Sequence, residues 1–258
     1  MSHLVSKDNL GNAKIAIRNV TKQFPAEVEE RGLALSNISL SIETNSFVSI
    51  VGRSGCGKTT LLNMIAGLLR PSKGEVLVDG SPVKGPGLDR GMVFQNAALF
   101  PWLTAVQNIE FGPQSQGMPK DARRGLAQEL IELVRLTGFE HKYPHELSGG
   151  MRQRVAIARA LAMDPDILLM DEPFGSLDEL TRAEMQDELL RIWEARKKTV
   201  VFITHSILEA LYLSDRIIIL SPHPGRLRME MHIDLPRPRQ RSSQRFMEDY
   251  EKIHGAIF

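Results

Sequence analysis

The chain has 258 residues and one cysteine, Cys56. No disulfide can close within it, and such usage fits a reducing compartment. Charge of one sign is equally scarce. Thirty-two Lys and Arg stand against 31 Asp and Glu, a net charge of +1, which argues against a polyanion-binding surface and predicts no nucleic-acid partner. Long hydrophobic runs are missing too. The longest uncharged stretch, residues 91–109, is broken by Gln95, Asn96, Pro101, Gln107 and Asn108, so it is no membrane span. The opening "MSHLVSKDNLGNAK" lacks the apolar core of a secretory signal. No internal repeat or low-complexity tract is visible. These absences predict a soluble cytosolic protein whose membrane association would come through a partner.

What is present is enough apolar sequence for one large domain, or for a core with a smaller lobe. The early segments alternate: Ile15 and Ile17 with charged or small neighbours, Ile38, Leu40 and Ile42 with serines, a pattern of half-buried strands. "GEVLVDG" (74–80) reads as a short strand closed by an Asp-Gly turn. Four later runs are continuously apolar: "FVSIV" (47–51), "MVF" (92–94), "ILLM" (167–170) and "VVFI" (200–203). Strands covered on both faces of a parallel sheet look like this. They lead into Gly52-Arg53-Ser54, Gln95, Asp171-Glu172 and Thr204-His205 respectively. Ligands of open α/β sheets bind beyond the carboxyl ends of the strands, so these four endings are expected to converge on one site.

Residues 104–163 read as helical, with polar loops around 112–119 and 138–144, and they interrupt the alternation of strand and helix. They are expected to form an inserted helical lobe. After Leu220, "SPHPGRL" reads as a loop and Met229, Met231 and Ile233 as a short strand. "PRPRQR" reads as an extended basic linker, and Phe246, Tyr250, Ile253 and Ile257 stand at helical spacing.

"GRSGCGKTT", Gly52-Arg53-Ser54-Gly55-Cys56-Gly57-Lys58-Thr59-Thr60, fits G-x-x-x-x-G-K-[ST] between a strand and a helical run, the context the motif requires. Its glycines let backbone N–H groups wrap phosphates. Lys58 would neutralise β- and γ-phosphate oxygens and the Thr59 hydroxyl would bind Mg²⁺. Cys56 reads as a small filler and not a nucleophile. Asp171 is the expected Mg²⁺ partner through water, and Glu172 can take a proton from an attacking water. Gln95 and His205, polar residues at strand ends, are expected contacts of the γ-phosphate or its water. His141 and His145 have i, i+4 spacing, but Pro144 between them spoils a helical metal face.

In "ELSGGMRQRVAIARA" (146–160), Ser148 can cap a helix, and Gly149 and Gly150 strip side chains from its start. Backbone N–H groups and the positive dipole end there favour an anion. A plain cap at a tight helix packing is expected not to need both glycines.

Together these segments resemble the ATP-binding subunit of ABC transporters over nearly the whole chain. Gly52–Thr60 resembles the Walker A loop and Gln95 the Q-loop glutamine. Leu147-Ser148-Gly149-Gly150-Met151 resembles the family signature, with Met151 in place of the usual Gln. Ile167–Glu172 resembles Walker B with its catalytic Glu, Ser176-Leu177-Asp178 the D-loop, and His205 the switch histidine. Phe24 falls where the family places an adenine-stacking aromatic; covering an edge strand is the alternative. The resemblance implies an α/β P-loop NTPase with a RecA-like core, an N-terminal antiparallel β-subdomain and an inserted α-helical subdomain. The expected boundaries are 13–95 and 161–220 for the core, 96–160 for the helical subdomain and 221–258 for a C-terminal extension.

It further implies ATP and Mg²⁺ as ligands, with Thr59, Gln95 and Asp171 around the metal. Two copies would pair head to tail, so that Ser148, Gly149, Gly150 and Asp178 face the nucleotide of the other copy. Permease subunits would dock near Phe100 and Trp102, and an extracytoplasmic solute-binding protein would complete the system at the cytoplasmic face of the inner membrane. "GPGLDRGMVFQ" (85–95), "LFPWLTAVQN" (99–108), "LSGGMRQR" (147–154) and "SPHPGRL" (221–227) resemble the nitrate, sulfonate and taurine importer group. Competing readings are an exporter or lipid-transport motor, a soluble ABC ATPase acting on ribosomes or DNA, and a P-loop kinase. The absence of a second cassette and of a long heptad run disfavours the soluble ATPase. A kinase would have no use for the signature.

Overall fold

A computed structural model describes residues 13–25 and 32–258. The described chain separates into two compact units. One takes the chain up to Gly87 and resumes over Thr199–Phe258, and the other is Leu88–Lys198.

The first unit contains two sheets. The alternating segments form an antiparallel one from β1 (Ile15–Gln23), β2 (Leu33–Ile42), β4 (Lys73–Val78) and β5 (Ser81–Pro82), in the order β2-β1-β4-β5. Ile17 stands opposite both Leu40 and Val76, so the apolar alternation of three strands coincides on one face. The second sheet is built on β3 (Phe47–Val51), with β8 (Thr199–Thr204) and β9 (Arg216–Leu220) parallel on its two sides. All residues of these three strands are buried, which is why β3 and β8 read as apolar runs. An antiparallel strand, β10 (Leu227–His232), borders β9. Among the described residues, the helices of this unit are α1 (Lys58–Ile65), α6 (Ile207–Leu213) and α7 (Gln244–Ile257).

The segment after β10 corrects one expectation. "PRPRQR" is no free linker. Arg239 is only 5 % exposed, and its guanidinium donates to the carbonyls of Leu211, Ser214, Ile233 and Leu235. Arg237 donates to the Asp215 carboxylate at 2.6 Å and to the Leu213 carbonyl. Two arginines thus satisfy carbonyls at the carboxyl end of α6, where cations also suit the helix dipole. Burial, helped by neighbouring Arg237 and opposed by Asp215, brings the Arg239 pKa down to about 10. Beyond them α7 lays Phe246, Ile253 and Ile257 into a cluster with Val51, Ile207, Ala210, Leu211, Ile217 and Ile219.

The second unit pairs β6 (Arg90–Val93) with β7 (Ile167–Asp171) in parallel, Val93 opposite Met170. Its helices are α2 (Ala105–Ser115), α3 (Lys120–Leu133), α4 (Gly149–Leu161) and α5 (Glu179–Arg196), with a 3₁₀ turn at Pro144–Glu146. Thr104 starts α2 with a reciprocal capping box: its hydroxyl accepts from the Gln107 amide and the Gln107 side chain accepts from its own. α2 runs on through Gly112 and Pro113, where a loop was expected. A proline within a helix costs a hydrogen bond, yet the helix continues for two further residues. Among the described residues no helix is long and apolar enough to cross a membrane.

Candidate nucleotide site

In the first unit, β3 delivers the chain into the glycine-rich loop and α1 takes it out. Gly57 occupies the cap position of α1 with φ 92°, and no side chain caps the helix. The left-handed conformation suits glycine. A Cβ there would also lie 2.5 Å from Leu35 Cδ2. The first amides of α1 therefore open onto the loop as a bare, positive helix end.

Lys58, buried, folds its ammonium back onto the Gly52 carbonyl at 2.9 Å and the Arg53 carbonyl at 3.3 Å. Cys56 is fully buried, and burial pushes its thiol pKa up against the opposing pull of Lys58. A buried thiol held protonated is a filler. Arg53, Ser54, Gly55 and Thr59 are exposed and Thr60 is half-buried. The bare helix end, the turned-in ammonium and the exposed residue Thr59 fit a polyphosphate with its cation.

His205 belongs to the same unit. Val51 stands opposite Thr204 in the β3–β8 ladder, so Gly52 and His205 are the next residues out from neighbouring strand ends. The Thr204 hydroxyl accepts from the Ser206 amide at 3.0 Å and donates to the Glu209 carboxylate, and the Ser206 hydroxyl caps α6. His205 is thereby held exposed between two anchored residues. Phe24 is half-buried, with the Lys22 ammonium 5.0 Å from its ring centroid and its amide on the Gly32 carbonyl. Of the segment that follows Phe24, residues 26–31 lie outside the described residues.

The second unit gathers the other candidates. Asp171 ends β7, and Glu172 follows with φ 44°, a left-handed backbone that non-glycine residues adopt at a cost of about 1–3 kcal/mol. Strain of this kind concentrates at functional positions. The turn after it, closed by the Gly175 amide on the Glu172 carbonyl at 3.0 Å, brings Glu172 toward Gln95. A Cβ placed on Gly175 would lie 3.1 Å from Gln95 Nε2 and 3.8 Å from Glu172 Oε2. Gly175 is a member of the site that the motif reading passed over, and its only sequence signal is a glycine just past Walker B.

The Ser148 hydroxyl caps α4, accepting from the Met151 amide at 3.2 Å. Gly149 is half-buried and Gly150 buried. A Cβ on Gly150 would lie 2.7 Å from Thr181 Cγ2, and one on Gly149 would lie 3.3 Å from Leu177 Cδ2. Tight packing of α4 on the start of α5 therefore gives Gly150 a steric reason of its own, beside the anion site expected of both glycines. Asp178 caps α5, accepting from the Thr181 amide at 3.0 Å, and that bond lowers its pKa. The start of α4 and the segment 176–178 thus lie against each other within this unit. A cavity of about 370 Å³ opens beside them, lined by Gln95, Asn96, Leu99, Gly149, Arg152 and Ser176.

Just past Gln95, Arg159 donates to the carbonyls of Ala97 and Ala98. Buried Asn108 accepts from the Phe100 amide and donates to the carbonyls of Phe100, Leu103 and Thr104. On this clamped loop the Phe100 ring lies 5.6 Å from Trp102 and 4.4 Å from Phe111, and Trp102 is 69 % exposed. The clamp comes from Asn108, a residue sequence reading used only as a polar interruption.

Strand-end glycine loop, bare helix and acidic strand end define a P-loop nucleotide-hydrolysing cassette. A family model described as ABC transporter matches residues 35–175, and the chain belongs to that family, whose ATP-binding cassettes are ATPases. It is 52 % identical to an uncharacterized ABC transporter ATP-binding protein of Methanocaldococcus jannaschii, over 96 % of this chain and 93 % of that one. To a taurine import ATP-binding protein of Burkholderia pseudomallei it is 52 % identical over 79 % of this chain and 78 % of the relative. Among solved structures, a dimeric ATP-binding cassette in a post-hydrolysis state with ADP and Pi matches with a TM-score of 0.73 and 36 % identity. That match covers 85 % of this chain and 98 % of the other.

Proposed function

We propose that this chain is the motor of an importer for a small anion or organic solute of the nitrate, sulfonate or taurine kind. The uncapped start of α1 with buried Lys58 beside it carries the nucleotide part of the reading. Gly52–Thr60 hold the phosphates, Lys58 neutralises them, and Thr59, Gln95 and Asp171 attend Mg²⁺, partly through water. Glu172 accepts the proton of the attacking water, His205 steadies the γ-phosphate end, and Phe24 stacks on adenine. In domain terms, 13–95 and 161–220 form the nucleotide-binding core, 96–160 the helical subdomain and 221–258 an extension.

Two copies sandwich ATP head to tail. Ser148, Gly149, Gly150 and Asp178 of each copy serve the nucleotide of the other. The dimeric cassette among the structural relatives supports this pairing, and so does the cap on α4: the Ser148 bond to Met151 leaves the amides of Gly149 and Gly150 for an outside anion. Permease subunits dock on the clamped aromatic loop at Phe100 and Trp102, at the cytoplasmic face of the membrane, and an extracytoplasmic binding protein delivers the solute. The relatives named for taurine import support the direction and solute class. A motor of another ABC system is the alternative.

The test is Glu172→Gln. It should bind Mg-ATP as the wild type does, lose general-base help worth about 10²–10⁴-fold in turnover, and accumulate as an ATP-bound dimer in size-exclusion chromatography. Near-normal turnover, or a strictly monomeric ATP-bound form, refutes the reading.

A further inference from the structure

The phosphate loop has an outer wall, and that wall comes from the far end of the chain. Because β9 runs parallel to β3, with Ile219 opposite Val51, the chain leaving β9 falls beside the chain leaving β3. The turn 221–226 is closed on itself: the Ser221 amide donates to the Arg226 carbonyl, and the Ser221 hydroxyl accepts from the Arg226 amide. Gly225 ties it to β2, donating to the Ala34 carbonyl and accepting from the Ser36 amide, both at 2.9 Å.

Contacts with the phosphate loop then follow in register. A Cβ on Gly52 would lie 2.8 Å from the Leu220 carbonyl oxygen. One on Gly55 would lie 3.2 Å from His223 Cε1, and one on Gly225 would lie 2.1 Å from the Cys56 carbonyl oxygen. The two backbones touch with no room for a side chain between them. His223 holds φ at 29°, a conformation costly for a non-glycine residue and found where surroundings over-determine it. A second contact comes from α7. Tyr250 stacks on His254 with centroids 5.9 Å apart, and His254 meets the ring of Phe258, just past the helix end, in a tilted pair at 4.7 Å. The last ring lies 5.8 Å from the Arg53 guanidinium carbon of the phosphate loop, within cation–π reach.

We propose that His223 and Phe258 are positioning residues for ATP hydrolysis: they hold Gly55 and Arg53 from outside, so that the phosphate loop keeps its nucleotide-binding curve and its affinity is coupled to docking of α7. The inference rests on the phosphate-loop reading given above. Neither residue touches the reacting atoms, so the effect falls on nucleotide binding in ground and transition state alike. That pattern raises KM and leaves kcat little changed. Coupling between binding events is also reciprocal: if the wall tightens nucleotide binding, nucleotide must tighten the wall by the same factor.

Full-length Phe258→Ala and His223→Gly are the variants; glycine keeps the backbone conformation accessible and removes only the ring. Each should weaken ADP binding by about 5-fold or more, raise KM for ATP in step, and not lower the thermal midpoint. Phe258→Trp should restore affinity, since tryptophan is the best cation–π face. In the wild type, ADP should slow amide exchange in peptides covering 221–226 and 250–258. Wild-type ADP affinity in both variants, or exchange in those peptides indifferent to ADP, overturns the proposal. Lys58→Ala separates the two levels. If it loses ADP binding while the two variants keep it, only the positioning role fails; if it too binds normally, the phosphate-loop reading fails.

Discussion

Gly150→Ala asks whether the signature glycine serves packing, ligand or both. The added methyl would stand 2.7 Å from Thr181 Cγ2, where ordinary contact begins at 3.4 Å. The Thr181 backbone is anchored by its amide on the Asp178 carboxylate at 3.0 Å, and its β-branched side chain is stiff at χ1, so moving the methyl aside has a cost. Overpacking of this kind costs about 1–3 kcal/mol, against about 1 kcal/mol that alanine gains over glycine inside a helix. The net loss is about 0–2 kcal/mol, and each 1 kcal/mol lowers the thermal midpoint of a chain this size by about 2–4 °C. Thr181→Ser deletes the offending methyl and keeps the amide and hydroxyl. In a double-mutant cycle the pair should therefore recover stability, with a coupling of about 0.5–3 kcal/mol. ATPase activity decides the rest. If a partner's phosphate must approach the bare start of α4, the double variant regains its midpoint and stays inactive. Activity returning together with stability refutes a ligand role for Gly150 and leaves packing as its whole purpose.

Trp102→Ala should leave nucleotide binding by the isolated subunit unchanged, because Asn108 and Arg159 grip the loop through backbone atoms. It should reduce recovery of the complex with the permease or uncouple hydrolysis from uptake; full uptake with normal complex yield would sink the docking assignment. Phe246→Ala removes a fully buried ring from the α6–α7 cluster and should cost about 3–5 kcal/mol in a chemical or thermal melt. An unchanged midpoint would mean that α7 contributes nothing to the core of its unit.

Much of this was legible because parallel strands declare themselves. β3, β6, β7 and β8 carry apolar runs that end in polar residues, and the structure sets Gly52 beside His205 in one unit and brings Gln95 toward Glu172 in the other. Three elements escaped for different physical reasons. β9 is as apolar as β3, but it ends without a chemical residue to mark it. α5 concentrates its buried residues between Met185 and Trp193, so its charged first turns hide the period. The segment holding Arg237 and Arg239 looks like a solvated linker because nothing in a one-dimensional pattern says that a guanidinium will meet the free carbonyls of a helix end. The packing role of Gly150 was invisible for the same kind of reason. It depends on Thr181, thirty-one positions on along the chain.

The left-handed backbone at Glu172 has a consequence for reading variants of this chain. A glycine there would relieve the conformational strain that the glutamate endures at φ 44°, so, on the proposed role of Glu172 as proton acceptor, Glu172→Gly removes the base while easing the backbone. Cells judge a protein chiefly by how often it unfolds. A carrier of that change would make the protein at ordinary abundance, pass any screen based on expression or melting, and be recognised as defective only by failing to turn over ATP.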